Sequence, residues 1–168
     1  PAGGPRTAQN DLVPTGSDIV MAAYGSHFYR IERYQADNVT KFPIDDPANA
    51  VWEYSVLDEG EEVSSNPHDM VFVSEQKAYV IRFGKTKAWI VNPSAEQQSE
   101  FKIGELDLSA YADDDGIPEM KSGVVVDGKL FVLLRRQDRD SDGWPPGQAY
   151  VAVFNVSTDM EIDTQTSG

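Results

Sequence analysis

An all-β chain built from β-propeller blades is the fold class this sequence predicts, and three observations predict it. A two-run unit recurs about every fifty residues: positions 21–31, 70–81 and 124–134 each hold an apolar run, a tight polar turn and a second apolar run. Tyr29, Tyr79 and Phe131 fall at matching places, 50 and 52 residues apart. A strand-built repeat of roughly 40–50 residues reads as one four-stranded blade. The 13 glycines and 10 prolines sit mostly between apolar runs, as an all-β chain requires. Only residues 94–100 have helix-friendly composition, and that stretch is too short to be stable alone. Propellers usually close with about 4–8 blades. About three antiparallel blades are legible, so the chain reads as an incomplete ring or part of a larger one.

In the first unit, residues 18–24 predict an inner strand and 27–34 its hairpin partner. Residues 38–44 predict a third strand, closed by Asp45-Asp46-Pro47. Residues 50–57 alternate with period two and predict the outer strand. The second unit predicts strands at 69–73, 77–83, 87–91 and 100–108, with a corner at Asn92-Pro93. The third predicts strands at 121–126, 129–136 and 149–156, with Asp127-Gly128 as the first turn. A fourth strand is expected near Met160. The blades then occupy 18–60, 67–108 and 118–164. Residues 1–17 read as a linker or tether, and 165–168 as a tail.

The net charge is −14 and the isoelectric point about 4.3. Such a surface repels phosphates, so nucleic acid is not an expected partner, and cations are better ones. There are no cysteines, which excludes disulfides, thiol catalysis and thiolate metal sites. No apolar run approaches the ~20 residues of a membrane helix. The Pro/Gly/Ala/Thr-rich start fits a tether after a signal peptide or lipid anchor, so the expected location is extracytoplasmic: periplasmic, cell-surface or secreted.

The motif with most chemistry lies between the second and third strands of the third unit. Asp138, Asp140 and Asp142 stand at alternate positions and Gly143 follows. That spacing lets three carboxylates converge on one hard cation, while the glycine permits a sharp turn. The backbone carbonyl of Trp144 would supply the next oxygen. Ala149 stands where a helix–loop–helix calcium site places its bidentate glutamate, so this is not a full EF-hand. A second acidic turn, with Asp113 and Asp115, could complete the set. Calcium is the expected cofactor at these two loops; the alternative is that both are Asp-rich turns.

Arg135 and Arg136 at a strand end could bind a carboxylate or an anionic sugar, or pair with the Asp-rich loop beside them. Trp144-Pro145-Pro146 could form a lip for a protein or carbohydrate. His68 sits where an inner strand begins, and two histidines separated by one blade, His27 and His68, could approach across the ring axis. No catalytic nucleophile motif, phosphate loop or dinucleotide fingerprint is present.

The run Asn66-Pro67-His68-Asp69-Met70-Val71-Phe72-Val73, then Lys77-Ala78-Tyr79-Val80, then Trp89-Ile90-Val91-Asn92-Pro93 resembles the bacterial YVTN/YncE-like propeller repeat. Asn92 replaces the usual Asp at the corner. Residues 106–120 resemble a segment of extracytoplasmic propeller lipoproteins, where it precedes a strand pair and an Arg-Asp-rich, Trp-containing loop. The resemblance covers residues 18–164 and implies a secreted or anchored propeller whose remaining blades come from elsewhere in the chain or from a second chain.

Three functions follow as expectations. The first is a non-enzymatic binding or scaffold module stabilised by calcium. The second is a fragment of a propeller enzyme, lactonase-like and calcium-dependent or dehydrogenase-like and quinone-dependent. For that reading, Asp18, His68, Asp69 and Glu119 are the residues the repeat places to contribute. The third is a structural subunit assembling through open blade edges.

Overall fold

A computed structural model describes residues 13–139, 141–145 and 147–164. Eleven strands among them form three antiparallel sheets. Blade 1 holds β1 (Ile19–Tyr24), β2 (His27–Glu32), β3 (Asn38–Pro43) and β4 (Trp52–Ser55). Blade 2 holds β5 (Pro67–Ser74), β6 (Lys77–Arg82), β7 (Lys87–Val91) and β8 (Lys102–Asp107). Blade 3 holds β9 (Met120–Val126), β10 (Lys129–Leu134) and β11 (Tyr150–Asn155). Each sheet is a meander in which sequence neighbours pair. The inner strand β5 touches both β1 and β9, so the blades stand side by side in chain order. These are the blades expected from the repeat.

Local chemistry sets the hairpins. Asp127 and Gly128 both have positive φ, +48° and +71°, as a two-residue turn matched to strand twist demands. Their register pairs Lys129 with Val126 and Phe131 with Val124.

The middle blade explains why its strands read as continuous apolar runs. Tyr79, Ile81, Ala88, Ile90 and Leu106 face blade 3, where Leu130, Val132, Leu134, Ala152 and Phe154 meet them. Ala78, Val80, Trp89 and Val91 face blade 1, meeting Tyr29, Ile31, Val39, Trp52 and Tyr54. A sheet covered on both sides needs apolar residues on both.

The two outermost faces differ. The outer face of blade 1 is mixed: Phe28 and Phe42 stack with centroids 4.9 Å apart and Met21 is 55% exposed, while Arg30 Nη2 lies 3.4 Å from both Glu32 and Glu53, and Thr40 Oγ1 donates to Glu53 at 2.9 Å. Arg30 Nη1 also donates to the Pro14 carbonyl at 3.0 Å. The outer face of blade 3 is apolar, with Val124 52% exposed, Val151 53% and Leu133 38% around Phe131.

Acidic side chains tie blades together, Asp37 and Asp159 among them. Asp37 is buried and accepts from Ser64 Oγ, Ser65 Oγ and the Asn66 amide at 2.8–2.9 Å, fixing the crossover from blade 1 to blade 2. Asp159 accepts from Lys77 Nζ at 2.7 Å and Tyr79 Oη at 2.6 Å, joining blade 3 to blade 2.

Two expectations are adjusted. The fourth strand of blade 3 is reduced to a single bridge, Phe154 to Glu161, among the described residues. A one-turn helix, α1 (Gln98–Phe101), precedes β8 and delays that strand to Lys102. Burial holds the turn: Phe101 is fully covered, with its ring 5.3 Å from those of Trp52 and Tyr54. The linker and tail fall largely outside the described residues, which begin at 13 and end at 164.

Candidate ligand cleft and acidic cradle

One backbone hydrogen bond recurs at the same end of each blade. The amide of Arg33 donates to the Asp18 carbonyl at 3.0 Å, Phe83 to Asn66 at 3.1 Å, and Arg135 to Glu119 at 3.1 Å. The donors are again 50 and 52 residues apart. The repeat therefore delivers the side chains of Arg33, Phe83 and Arg135 to one place. They line an open cleft of about 980 Å³, where His68, Lys121 and Trp144 join them.

The cleft is cationic. Arg33, Lys121, Arg135 and Arg139, four of the chain's 14 basic residues, line it against a single acid, Asp18. Asp18 is engaged by Arg33 at 2.6–2.7 Å and by the Tyr34 amide at 3.3 Å. Lys121 and Arg135 have no carboxylate within ion-pair distance among the described residues. Lys121 Nζ instead lies 3.2 Å from His68 Nδ1. An ammonium can only donate, so Nδ1 accepts and the imidazole proton resides on Nε2. That Nε2 is buried and has no hydrogen-bond partner. The His68 ring stacks on Phe83 with centroids 4.4 Å apart. Burial, then the charges of Lys121 and Arg33, push its pKa down to about 3. Burial and the charges of Arg33 and Arg135 lower that of Lys121.

Beside the cleft lies an acidic cradle. Asp113, Asp115 and Glu119 each place a carboxylate oxygen within 4.8 Å of the others. Glu119 is fully buried, at a backbone φ of +46°. Its Oε2 accepts from the Gln137 amide at 3.0 Å. Its Oε1 has no hydrogen-bond donor, although Arg139 Nε stands 3.1 Å away at ion-pair distance. Asp113 Oδ1 is likewise buried without a donor. Burial and the Asp115 charge push Glu119 up to about 7, and burial with Asp115 raises Asp113. Burial pulls Asp115 upward too, but the Arg139 hydrogen bond at 2.9 Å and the Ile117 amide hold it below its ordinary value. Arg139 thus belongs to both features: it lines the cleft and bridges the cradle.

The long loop of blade 3 folds back on itself. The Asp138 amide donates to the Pro145 carbonyl, Trp144 to Ser141, and Gly147 to Arg136. The Asp138 carboxylate accepts from both the amide and the hydroxyl of Ser141. Asp142 is exposed. Asp140, the central member of the expected cation loop, lies outside the described residues. The Trp144 carbonyl accepts from Gln137 Nε2 at 3.4 Å.

Of the expected ligand contacts, His68, Arg135 and Trp144 come together in the cleft. Arg136 does not join them, because its guanidinium sits 5.1 Å over the Tyr150 ring. His27 is at the opposite end of its hairpin, paired with Tyr24 across the first turn, so the two histidines do not meet. The two acidic turns do adjoin: the Arg139 amide and guanidinium both donate to Asp115. Sequence reading missed Arg33, Lys121 and Arg139 as cleft residues and Glu119 as an acid of the cradle. The signal for Arg33 was present, since Arg33 and Arg135 are two repeats apart.

No family model matches the chain, and no curated protein matches it. Solved structures do. Sqt1 of Saccharomyces cerevisiae superposes with a TM-score of 0.59 at 8% identity, over 85% of this chain and 33% of that one. Hydrazine synthase of Kuenenia stuttgartiensis gives 0.56 at 13% identity, over 93% and 38%. Glutaminyl cyclase of Myxococcus xanthus gives 0.51 at 14% identity, over 84% and 58%. The chain spans less than two thirds of each, and at these identities the likeness is one of fold: blades of a β-propeller.

Proposed function

We propose that this chain is a binding module built on β-propeller blades of the YVTN/YncE-like extracytoplasmic type, stabilised by calcium or a similar hard cation and completed by further blades or a second chain. The observation that carries it is the cleft, lined from the same position of three successive blades. Clefts of a few hundred to about 1,000 Å³ with a few convergent polar groups suit small ligands.

Binding is favoured over turnover by how the acids are used. Asp18 is held by Arg33, and Glu119 by Gln137 and Arg139. Asp69 accepts from the amides of Met70 and Gly123 at 2.8 and 3.0 Å. Both oxygens of Asp18 and both of Asp69 are thus occupied, which leaves Glu119 Oε1, in the cradle, as the acceptor without a donor among them. A lactonase-like or quinone-dependent dehydrogenase-like fragment remains the enzymatic alternative, checked by turnover against a substrate panel.

The cation reading is supported at the cradle, where the oxygens of Asp113 and Glu119 without donors suit a hard cation. Asp138, Asp140, Asp142 and the Trp144 carbonyl are a second candidate set on the adjoining loop. A thermal melt with calcium and with chelator tests this. Binding to the folded state at a hundredfold excess over Kd adds about 2.7 kcal/mol, a rise of about 5–10 °C for a domain of this size. Glu119→Gln should remove the rise if the cradle holds the ion, and Asp140→Asn if the loop does. Identical melting with calcium and chelator overturns the cation reading.

A second reading, a subunit that assembles through its blades, has one observation in its favour: the uncovered apolar face of blade 3. Among the described residues no helix is long and apolar enough to cross a membrane.

A further inference from the structure

We infer that the cleft binds an anionic saccharide, with Lys121 and Arg135 receiving its carboxylate or phosphate group and Trp144 covering its sugar ring. This rests on the binding-module reading and names its ligand class.

Charge distribution argues first. The molecule carries −14 overall, yet it gathers four basic side chains around one cleft with one acid, and that acid is already engaged. Like charges held together raise the energy of the empty site, and an anion relieves it. Arg139 is satisfied by the cradle and Arg33 by Asp18, so the cations left for a ligand are Lys121 and Arg135.

Hydrogen-bond inventory argues second. His68 Nε2–H is a buried donor without an acceptor, in a ring held flat against Phe83. A donor sealed from solvent does not reach a ligand, so the ring acts through its other nitrogen: Nδ1 accepts from Lys121 Nζ at 3.2 Å and fixes that ammonium at the cleft wall.

Shape argues third. Trp144 is 48% exposed at the cleft wall, in a loop closed by three backbone bonds among residues 136–147. Its φ of +51° follows from the tight turn that ends at Gly143. A half-exposed indole beside a cationic cleft offers an apolar face to a sugar ring, while the charged head reaches Lys121 and Arg135.

The test is calorimetric titration of the chain with digalacturonate, glucose 6-phosphate, inorganic phosphate and the neutral disaccharide cellobiose. Either or both anionic sugars should bind and cellobiose should not; the tighter one identifies the head group. Lys121→Met and Arg135→Gln should each weaken binding about tenfold. Trp144→Ala should weaken the sugars but leave inorganic phosphate unchanged. Arg135 is exposed, so its variant keeps the melting temperature and guards against loss of fold. Absence of binding by any anionic probe at millimolar concentration overturns the inference. So does equal binding of cellobiose, or unchanged affinity in Arg135→Gln. Repeating the titration with chelator separates this outcome from failure of the cation reading, since the cleft residues Lys121 and Arg135 lie outside the cradle.

Discussion

Gly123 in β9 shows how closely two blades approach. A Cβ added there would lie 2.9 Å from Val71 Cγ2 of blade 2 and 3.3 Å from the Phe131 carbonyl. Gly123→Ala should therefore destabilise by about 1–3 kcal/mol, read from urea denaturation, as overpacking does; an unchanged midpoint would show that β9 can shift away. His68 gives a second residue-level expectation. Its folded pKa is about 3 against 6.5 when unfolded, so the folded state stays neutral while the unfolded chain takes up a proton. Its contribution is full above pH 6.5 and is lost as pH falls from 6.5 towards 3. The stability gap between the wild type and His68→Gln should shrink across that window; a gap independent of pH would place the ring in a solvated setting. Single residues were also where the sequence said least. The repeat singles out Glu119 for a propeller enzyme's site, yet only the folded backbone buries it beside Asp113 and Asp115. Lys121 likewise carries no local mark, because its partner His68 lies 53 positions away.

Strands were legible because each obeys a period set by its own surroundings. β6 and β7 read as unbroken apolar runs because blade 2 is covered on both faces, whereas β4 alternates because Trp52 and Tyr54 point inward and Glu53 outward. The fourth strand expected near Met160 shrinks to one bridge among the described residues, where Met160 is 67% exposed and has no face to bury. Register between blades depends on side chains that no local pattern encodes. Asp159 is one, holding Lys77 and Tyr79 across the boundary of blades 2 and 3. Asp159→Ala should cost about 1–3 kcal/mol. Tyr79→Phe should cost less in that background than in the wild type. A double-mutant cycle by chemical denaturation checks both, and simple additivity would mean the Tyr79–Asp159 bond contributes nothing.

At the scale of the molecule, the repeat places not only strands but the cleft, since positions 33, 83 and 135 share one backbone bond and one destination. The same equivalence says what blade 3 lacks. Tyr29 and Tyr79 occupy matching places and are 2% and 0% exposed under the blade that follows each; Phe131 is the third of the series and remains partly exposed. On the reading that the chain assembles through its blades, Val124→Lys with Leu133→Lys should abolish concentration-dependent association measured by sedimentation, with little change in melting temperature. Association that persists in the double variant would assign the contact to another surface.

The order of the three blades along the chain also gives the array a direction in time. Of these three blades, blade 1 leaves the ribosome before the other two, and the face carrying Tyr29 waits only for β5 to β8. The face carrying Tyr79 then waits for β9 to β11. Across these three blades the nascent chain thus bares one sticky sheet face at a time, and each new blade conceals the hazard left by the one before.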